Sequence, residues 1–221
     1  MKGTLIVLEG TDGSGKSTQF RRLCQRLEER QTPFRQVVFP RYDQPSSALI
    51  RLYLSGAFGA SPSDVNPYAA SAFYAVDLFA SYKQDWGAWY EAGGLVLCDR
   101  YTTSNAVHQA SKLAGDARER FFQWLYQFEF VQMGLPKPDL VLYLDMPIGQ
   151  SLSLLRSREA ATHTTADIHE RDSAYLAACR ETASHAADSL GWNRIACVRD
   201  GQVRTVEEIH HDIWNAVQAC L

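Results

Sequence analysis

The sequence predicts an α/β fold: a five-stranded parallel sheet with helices on both faces. Three observations carry the prediction. Short apolar runs at Leu5–Glu9, Gln36–Phe39, Leu95–Cys98, Leu140–Leu144 and Arg194–Val198 are separated by stretches of helical periodicity, and such alternation builds parallel sheets through crossover helices. Turn punctuation falls at the cuts, with Gly93-Gly94 ahead of the third run and Pro136 and Pro138 ahead of the fourth. The first run leads straight into a glycine-rich turn and then an amphipathic helix. With 221 residues, 46% of them hydrophobic, the chain can bury the core of one large domain over residues 1–221. No internal repeat, low-complexity tract or linker divides it.

The turn after the first strand reads Gly10-Thr11-Asp12-Gly13-Ser14-Gly15-Lys16-Ser17-Thr18, the pattern G-x-x-x-x-G-K-S. Phe20, Leu23, Cys24 and Leu27 follow on one helical face. The spelling has a chemical cause. Several backbone N–H groups must converge on phosphate oxygens, and only glycines let the chain curl that tightly. The helix N-terminus adds partial positive charge. Lys16 can reach the outer phosphates and Ser17 can ligate Mg²⁺. Motif and context together point to a nucleoside triphosphate.

In open parallel sheets ligands sit beyond the carboxyl ends of the strands. The second strand is followed by Phe39-Pro40-Arg41-Tyr42, an aromatic wall with a guanidinium; the same residues would also suit a proline-fixed turn with a surface arginine. The third delivers Asp99-Arg100-Tyr101-Thr102-Thr103-Ser104-Asn105. There a Walker-B-like run presents a carboxylate to the metal region, and Arg100 offers a fork for phosphate oxygens; a buried structural Asp–Arg pair is the alternative. A long aromatic helix is expected from Pro67 to Ala92, lined by Phe73, Tyr74, Phe79, Tyr82, Trp86, Trp89 and Tyr90; most of these rings belong to the core, at least one could face the cleft and stack on a base, and the residues alone do not choose which. Residues 156–171, flanked by Arg156, Arg158 and Arg171, read as a short lid over a phosphate cleft, or else as an exposed helical hairpin. Thr205-x-x-Glu208 is a capping box that opens the last helix, on which His210 and His211 are expected to face solvent.

The formal net charge is −3, so no global positive field favours nucleic acid or an anionic membrane surface. No apolar stretch reaches spanning length and no secretory signal precedes the first strand. The five cysteines show no C-x-x-C pair, and the histidines show no metal spacing. A reducing, cytoplasmic setting is expected.

The chain resembles the thymidylate kinases, within the nucleoside monophosphate kinase group of P-loop NTPases. The resemblance runs over essentially the whole length, on the loop Gly10–Ser17 with Asp12 inside it and on Phe39-Pro40-Arg41. It continues through Phe79 with a basic residue four positions on, Asp99-Arg100 with Ser104-Asn105 and Gln109, Arg156-Ser157-Arg158 and Asp167-x-x-Glu170. It implies phosphorylation of thymidine monophosphate by ATP with Mg²⁺, in a homodimer. ATP would lie on the backbone of Gly10–Thr18, with Lys16 on the outer phosphates. Asp12 would face the sugar hydroxyl, and Arg41 and Arg100 would hold the acceptor phosphate. Phe79 would stack on the base beside Phe39, while Asn105 and Lys83 would contact its edge, with Ser104 and Gln109 nearby. Ser17, Asp99 and Glu170 would order the metal. Relatives commonly carry arginine at the position aligned with Lys83 and tyrosine at that aligned with His108. Gly13 in place of a loop arginine implies that Arg156 or Arg158 supplies the transition-state cation. Other acceptors, a pyrimidine nucleotide or a deoxynucleoside, stay open at this point, as does a P-loop switch or partitioning ATPase.

Overall fold

A computed structural model describes residues 2–154 and 173–221. Its main sheet has five parallel strands in the order β2-β3-β1-β4-β5: β1 Thr4–Glu9, β2 Phe34–Val38, β3 Leu95–Asp99, β4 Leu140–Asp145 and β5 Asn193–Ala196. The helices are α1 Lys16–Glu29, α2 Ala48–Leu54, α3 Pro67–Ser81, α4 Gly87–Glu91, α5 Thr102–His108, α6 Asp116–Tyr126, α7 at 148–154, α8 Ser173–Leu190 and α9 Val206–Gln218. The expected strands are all present, shifted by one or two residues at their ends. The sequence reading missed a small antiparallel hairpin, β6 Val198–Arg199 with β7 Gln202–Val203.

Strands β1 and β3 are buried on both faces, which is why they read as unbroken apolar runs. Ile6, Leu8 and Leu97 pack with Leu23 and Leu27 of α1 and Ile213 and Trp214 of α9. Leu5, Val7, Val96 and Cys98 point the other way, against Leu78, Trp86 and Tyr90. The Thr205–Glu208 capping box forms at the start of α9. His211 is exposed, but His210 is buried, contrary to expectation: it lies on the same face as Ile213 and Trp214, and burial lowers its pKa.

The aromatic segment 67–92 is not one regular helix. Residues Tyr82–Trp86 form a π turn between α3 and α4. Its closing N–H is that of Gly87, donating to the Tyr82 carbonyl; a Cβ on Gly87 would stand 2.3 Å from that oxygen. A second π segment, Gln127–Gln132, follows α6.

Register decides where the ends of the strands meet. Leu8 and Val38 both stand opposite Asp99. The loop after β1, Phe39 after β2 and Arg100 after β3 therefore leave the sheet at one level, on its carboxyl edge.

Candidate active site

The phosphate loop joins β1 to α1. Gly15 stands at φ 81°, a left-handed turn that a side chain would resist, and among the described residues no side chain caps α1. The Thr18 and Gln19 N–H groups turn back to the Gly15 carbonyl, and those of Lys16 and Ser17 stand at the positive end of the helix dipole, where an anion is favoured. Behind the loop, Glu9 is fully buried. Its Oε1 accepts the Gly10 N–H at 2.9 Å, and its Oε2 accepts the Thr103 and Ser104 hydroxyls at 2.6 and 2.7 Å. This carboxylate ties the loop to the start of α5.

Lys16 Nζ is ion-paired with Asp99 Oδ1, both side chains almost sealed from solvent. Burial lowers the lysine pKa, the charge of Arg100 lowers it further, and Asp99 opposes both. Arg100 is itself left-handed, at φ 67°, a conformation that costs a non-glycine residue about 1–2 kcal/mol. The turn sends its guanidinium back across the loop. Nη2 donates to Asp12 Oδ1 at 2.5 Å, and Nη1 lies 3.8 Å from Glu9 Oε1 and 3.1 Å from His108 Nε2. Arginine has only donors, so His108 Nε2 accepts and the neutral ring carries its proton on Nδ1. Burial alone would depress the Arg100 pKa, but Asp12, Glu9 and Asp99 more than offset it and hold the group cationic.

These groups line one cavity of about 290 Å³. Asp12, Lys16 and Ser17 enter from the loop side. Phe39, Asp99 and Arg100 come from the ends of β2 and β3, and Ser104, Asn105, His108 and Gln109 from α5 and the residue after it. The donor loop and the acceptor side are thus one continuous space. Gln109 is fully buried, and neither its Nε2 nor its Oε1 has a hydrogen-bond partner among the described residues. Such an amide is costly unless a ligand completes it.

Other expected residues lie elsewhere. Arg41 stands just outside the lining, its backbone N–H donating to Asp77 Oδ2 at 2.8 Å and its Nε 3.6 Å from Oδ1. Phe79 and Lys83 are not brought to the cavity: Phe79 packs on the cluster of Leu78, Tyr82 and Trp86, and the Lys83 ammonium lies 5.7 Å from its ring centroid. The cause is helical phase. At about 100° per residue, Tyr74, Asp77 and Leu78 share the cavity face of α3, and Phe79 is turned a quarter circle away. Tyr74 and Leu78, four positions apart, line the cavity together with Asp77, while the expected pair of Phe79 and Lys83 does not. Arg156, Arg158 and Glu170, with the lid at 156–171, lie outside the described residues.

Glu9, Asp77 and Leu78 were missed from sequence, and Tyr74 was one of several rings among which the sequence did not choose. Glu9 carried a signal, a carboxylate ending a strand otherwise apolar. Asp77 and Tyr74 could have been found by placing the one acidic residue of α3 toward the arginines.

A phosphate loop on a parallel sheet, sharing one cavity with a buried arginine and an unpaired amide, defines a P-loop phosphotransferase. Comparison with known proteins narrows the class. A sequence-family model described as thymidylate kinase matches residues 8–213. A thymidylate kinase of Mycobacterium tuberculosis is 33% identical over 172 residues, covering 76% of this chain and 78% of that one. A probable thymidylate kinase of Pyrococcus horikoshii is 32% identical over 162 residues, covering 73% and 74%. A solved thymidylate kinase from Candida albicans superposes with a TM-score of 0.69 at 19% identity, over 99% of this chain and 92% of that one, a likeness of fold. The chain belongs to the thymidylate kinase family. It is a nucleotide-binding transferase of the nucleoside monophosphate kinase group, with ATP as co-substrate.

Proposed function

We propose that the chain transfers the γ-phosphoryl group of ATP to thymidine monophosphate within this cavity, giving ADP and thymidine diphosphate. The observation that carries the reading is the position of Arg100, between the phosphate loop and the amides of Asn105 and Gln109. Two anionic nucleotides meeting there need cations at the junction and amides at the base end.

ATP binds along the backbone of Gly10–Thr18, with Lys16 leaving Asp99 for the β- and γ-phosphates. Arg100 holds the acceptor phosphate, and Arg41 reaches it from the β2 exit. A 5′-phosphate oxygen of the acceptor attacks γ-phosphorus in line as the bond to the bridging oxygen of ADP breaks. The nucleophile is already ionised, so positioning and charge neutralisation supply the acceleration. Asp12 holds Arg100 in place and faces the acceptor sugar. Tyr74, in place of Phe39 or Phe79, is the ring against which the base lies. Asn105 and Gln109 read its edge.

The donor set fits magnesium. Ser17 and Asp99 line the same cavity with hard oxygen atoms, and Mg²⁺ takes one or two protein ligands alongside substrate phosphates and water. Among the described residues no group of three His, Cys, Asp or Glu could cage a metal without the nucleotide. When bound, the ion would neutralise the charge of the β- and γ-phosphates.

The single domain works as a homodimer in the cytoplasm in this reading. Exposed Tyr126 and Val131 support an apolar contact, and five free cysteines support a reducing compartment. Among the described residues no helix is long and apolar enough to cross a membrane.

Steady-state rates with thymidine, thymidylate, deoxyuridylate and deoxycytidylate test the assignment. Thymidylate should give the highest kcat/KM. Equal ATP turnover without any monophosphate would overturn it in favour of a switch ATPase.

A further inference from the structure

Asn105 lines the cavity, and the other side of its amide is fully used. Its Nδ2 donates to Glu129 Oε1 at 2.7 Å and to the Ser71 backbone carbonyl at 3.3 Å. Both partners sit away from the cavity lining, Ser71 on α3 and Glu129 in the second π segment, and both are fully buried. The Ser71 carbonyl can only accept. An amide turned the other way would set oxygen against oxygen there, so the nitrogen is fixed at that position. Oδ1 is then the polar atom that Asn105 presents to the cavity.

We propose that Glu129 is a positioning residue that locks the Asn105 amide with its carbonyl outward, so that the site takes a base bearing an imide N–H and rejects one bearing a bare ring nitrogen. The inference rests on the acceptor reading above and deepens it. Thymine and uracil carry N3–H between two carbonyls and can donate to Oδ1. Cytosine has an unprotonated N3 at the same place, which would face Oδ1 acceptor to acceptor. Lys83, the cation expected at the base edge, lies away from the cavity, and Leu78 offers the base no polar group. The selection therefore falls on Asn105, with the unpaired Gln109 amide free to serve a neighbouring carbonyl. Glu129 touches no substrate; its Oε1 accepts from Nδ2 as the carbonyl oxygen of a neutral carboxyl, and together with the accept-only Ser71 carbonyl it holds Asn105 in one orientation.

The test is calorimetric binding of thymidylate and of deoxycytidylate to the wild type and to Glu129→Met, Glu129→Asp and Glu129→Gln. Methionine removes the acceptor at similar volume, and aspartate withdraws the carboxylate by one methylene. Each should weaken thymidylate binding and shrink the preference over deoxycytidylate at least tenfold, with kcat at saturating thymidylate within about threefold of wild type. In Glu129→Gln the side-chain carbonyl can still accept from Nδ2, so this variant should keep the preference. If the methionine variant does not fold, the aspartate variant decides. A preference unchanged in the Met or Asp variants, or a kcat that falls with no change in the ratio, overturns the role of Glu129 while the thymidylate assignment stands. A wild-type protein that binds no thymidylate overturns both.

Discussion

Asp77 grips Arg41 with both carboxylate oxygens: Oδ2 accepts its backbone N–H at 2.8 Å, and Oδ1 lies 3.6 Å from its guanidinium Nε. Ser46 donates its hydroxyl to Oδ1 at 2.6 Å, closing the clasp. A fully buried acid on α3 thus fixes an arginine that the sequence placed only in a loop after β2. Asp77→Ala should release the loop. Hydrogen bonds to charged groups are worth about 1.5–3 kcal/mol, so the thymidylate KM should rise at least about tenfold while the ATP KM stays put. Kinetics at saturating ATP decide it; an unchanged thymidylate KM would free Arg41 of any part in acceptor binding.

Lys16→Ala removes the cation that the loop side contributes to the cavity and leaves Asp99 buried without its partner. Phosphoryl transfer should fall at least a hundredfold, on the order of 3 kcal/mol of transition-state stabilisation. The fall should appear in kcat as well as in kcat/KM, because charge on the transferring group grows toward the transition state. Near-normal turnover would sink the assignment of the ammonium to the phosphates.

Tyr74 and Phe79 separate by substitution. Base–aromatic stacking is worth about 1–3 kcal/mol, so Tyr74→Ala should raise the thymidylate KM by roughly tenfold or more with little loss of thermal stability. Phe79→Ala should do the reverse: an unmoved KM, and about 2–3 kcal/mol of lost stability from the cavity left beside Leu78, Tyr82 and Trp86. Thermal melts and KM values for the two variants settle which ring meets the base. A KM effect confined to Phe79→Ala would restore the expectation drawn from sequence.

What the sequence disclosed and what it hid follow from range. The phosphate loop is local, a glycine spelling imposed by phosphate geometry, and it could be read directly from Gly10 to Ser17. The strands could be read because burial on both faces leaves apolar runs, as in Leu95–Cys98. Asp99-Arg100 followed from position at a strand end. The phase of α3 was hidden. Aromatic residues cover all its sides, so periodicity does not say which ring turns inward, and Phe79 was named only on the family resemblance. The π turn at Tyr82–Trp86 adds an extra residue and shifts Lys83 further. Glu129 gave no local signal at all; its meaning arises only where the second π segment meets α5.

Glu129 also carries a pH signature. It is fully buried, and burial pushes its carboxyl up to about 8, against the pull of the Asn105 hydrogen bond. The folded-state pKa is thus above the unfolded value near 4.5. The folded chain holds a proton that the unfolded chain releases, so this group's contribution is fully present below pH 4.5 and is lost as pH rises toward 8 and through it. The loss amounts to roughly 4 kcal/mol by pH 8. Glu129→Gln abolishes the titration while keeping an acceptor for Asn105. Its Tm relative to wild type should therefore climb between pH 5 and pH 8, by about 10 °C for a chain of this length. Paired calorimetric melts at pH 5, 6.5 and 8 measure the difference, with the titration of every other group cancelling between the two proteins. A gap that stays constant across that range would mean that Glu129 is ionised in the folded protein throughout, with its charge met inside the fold.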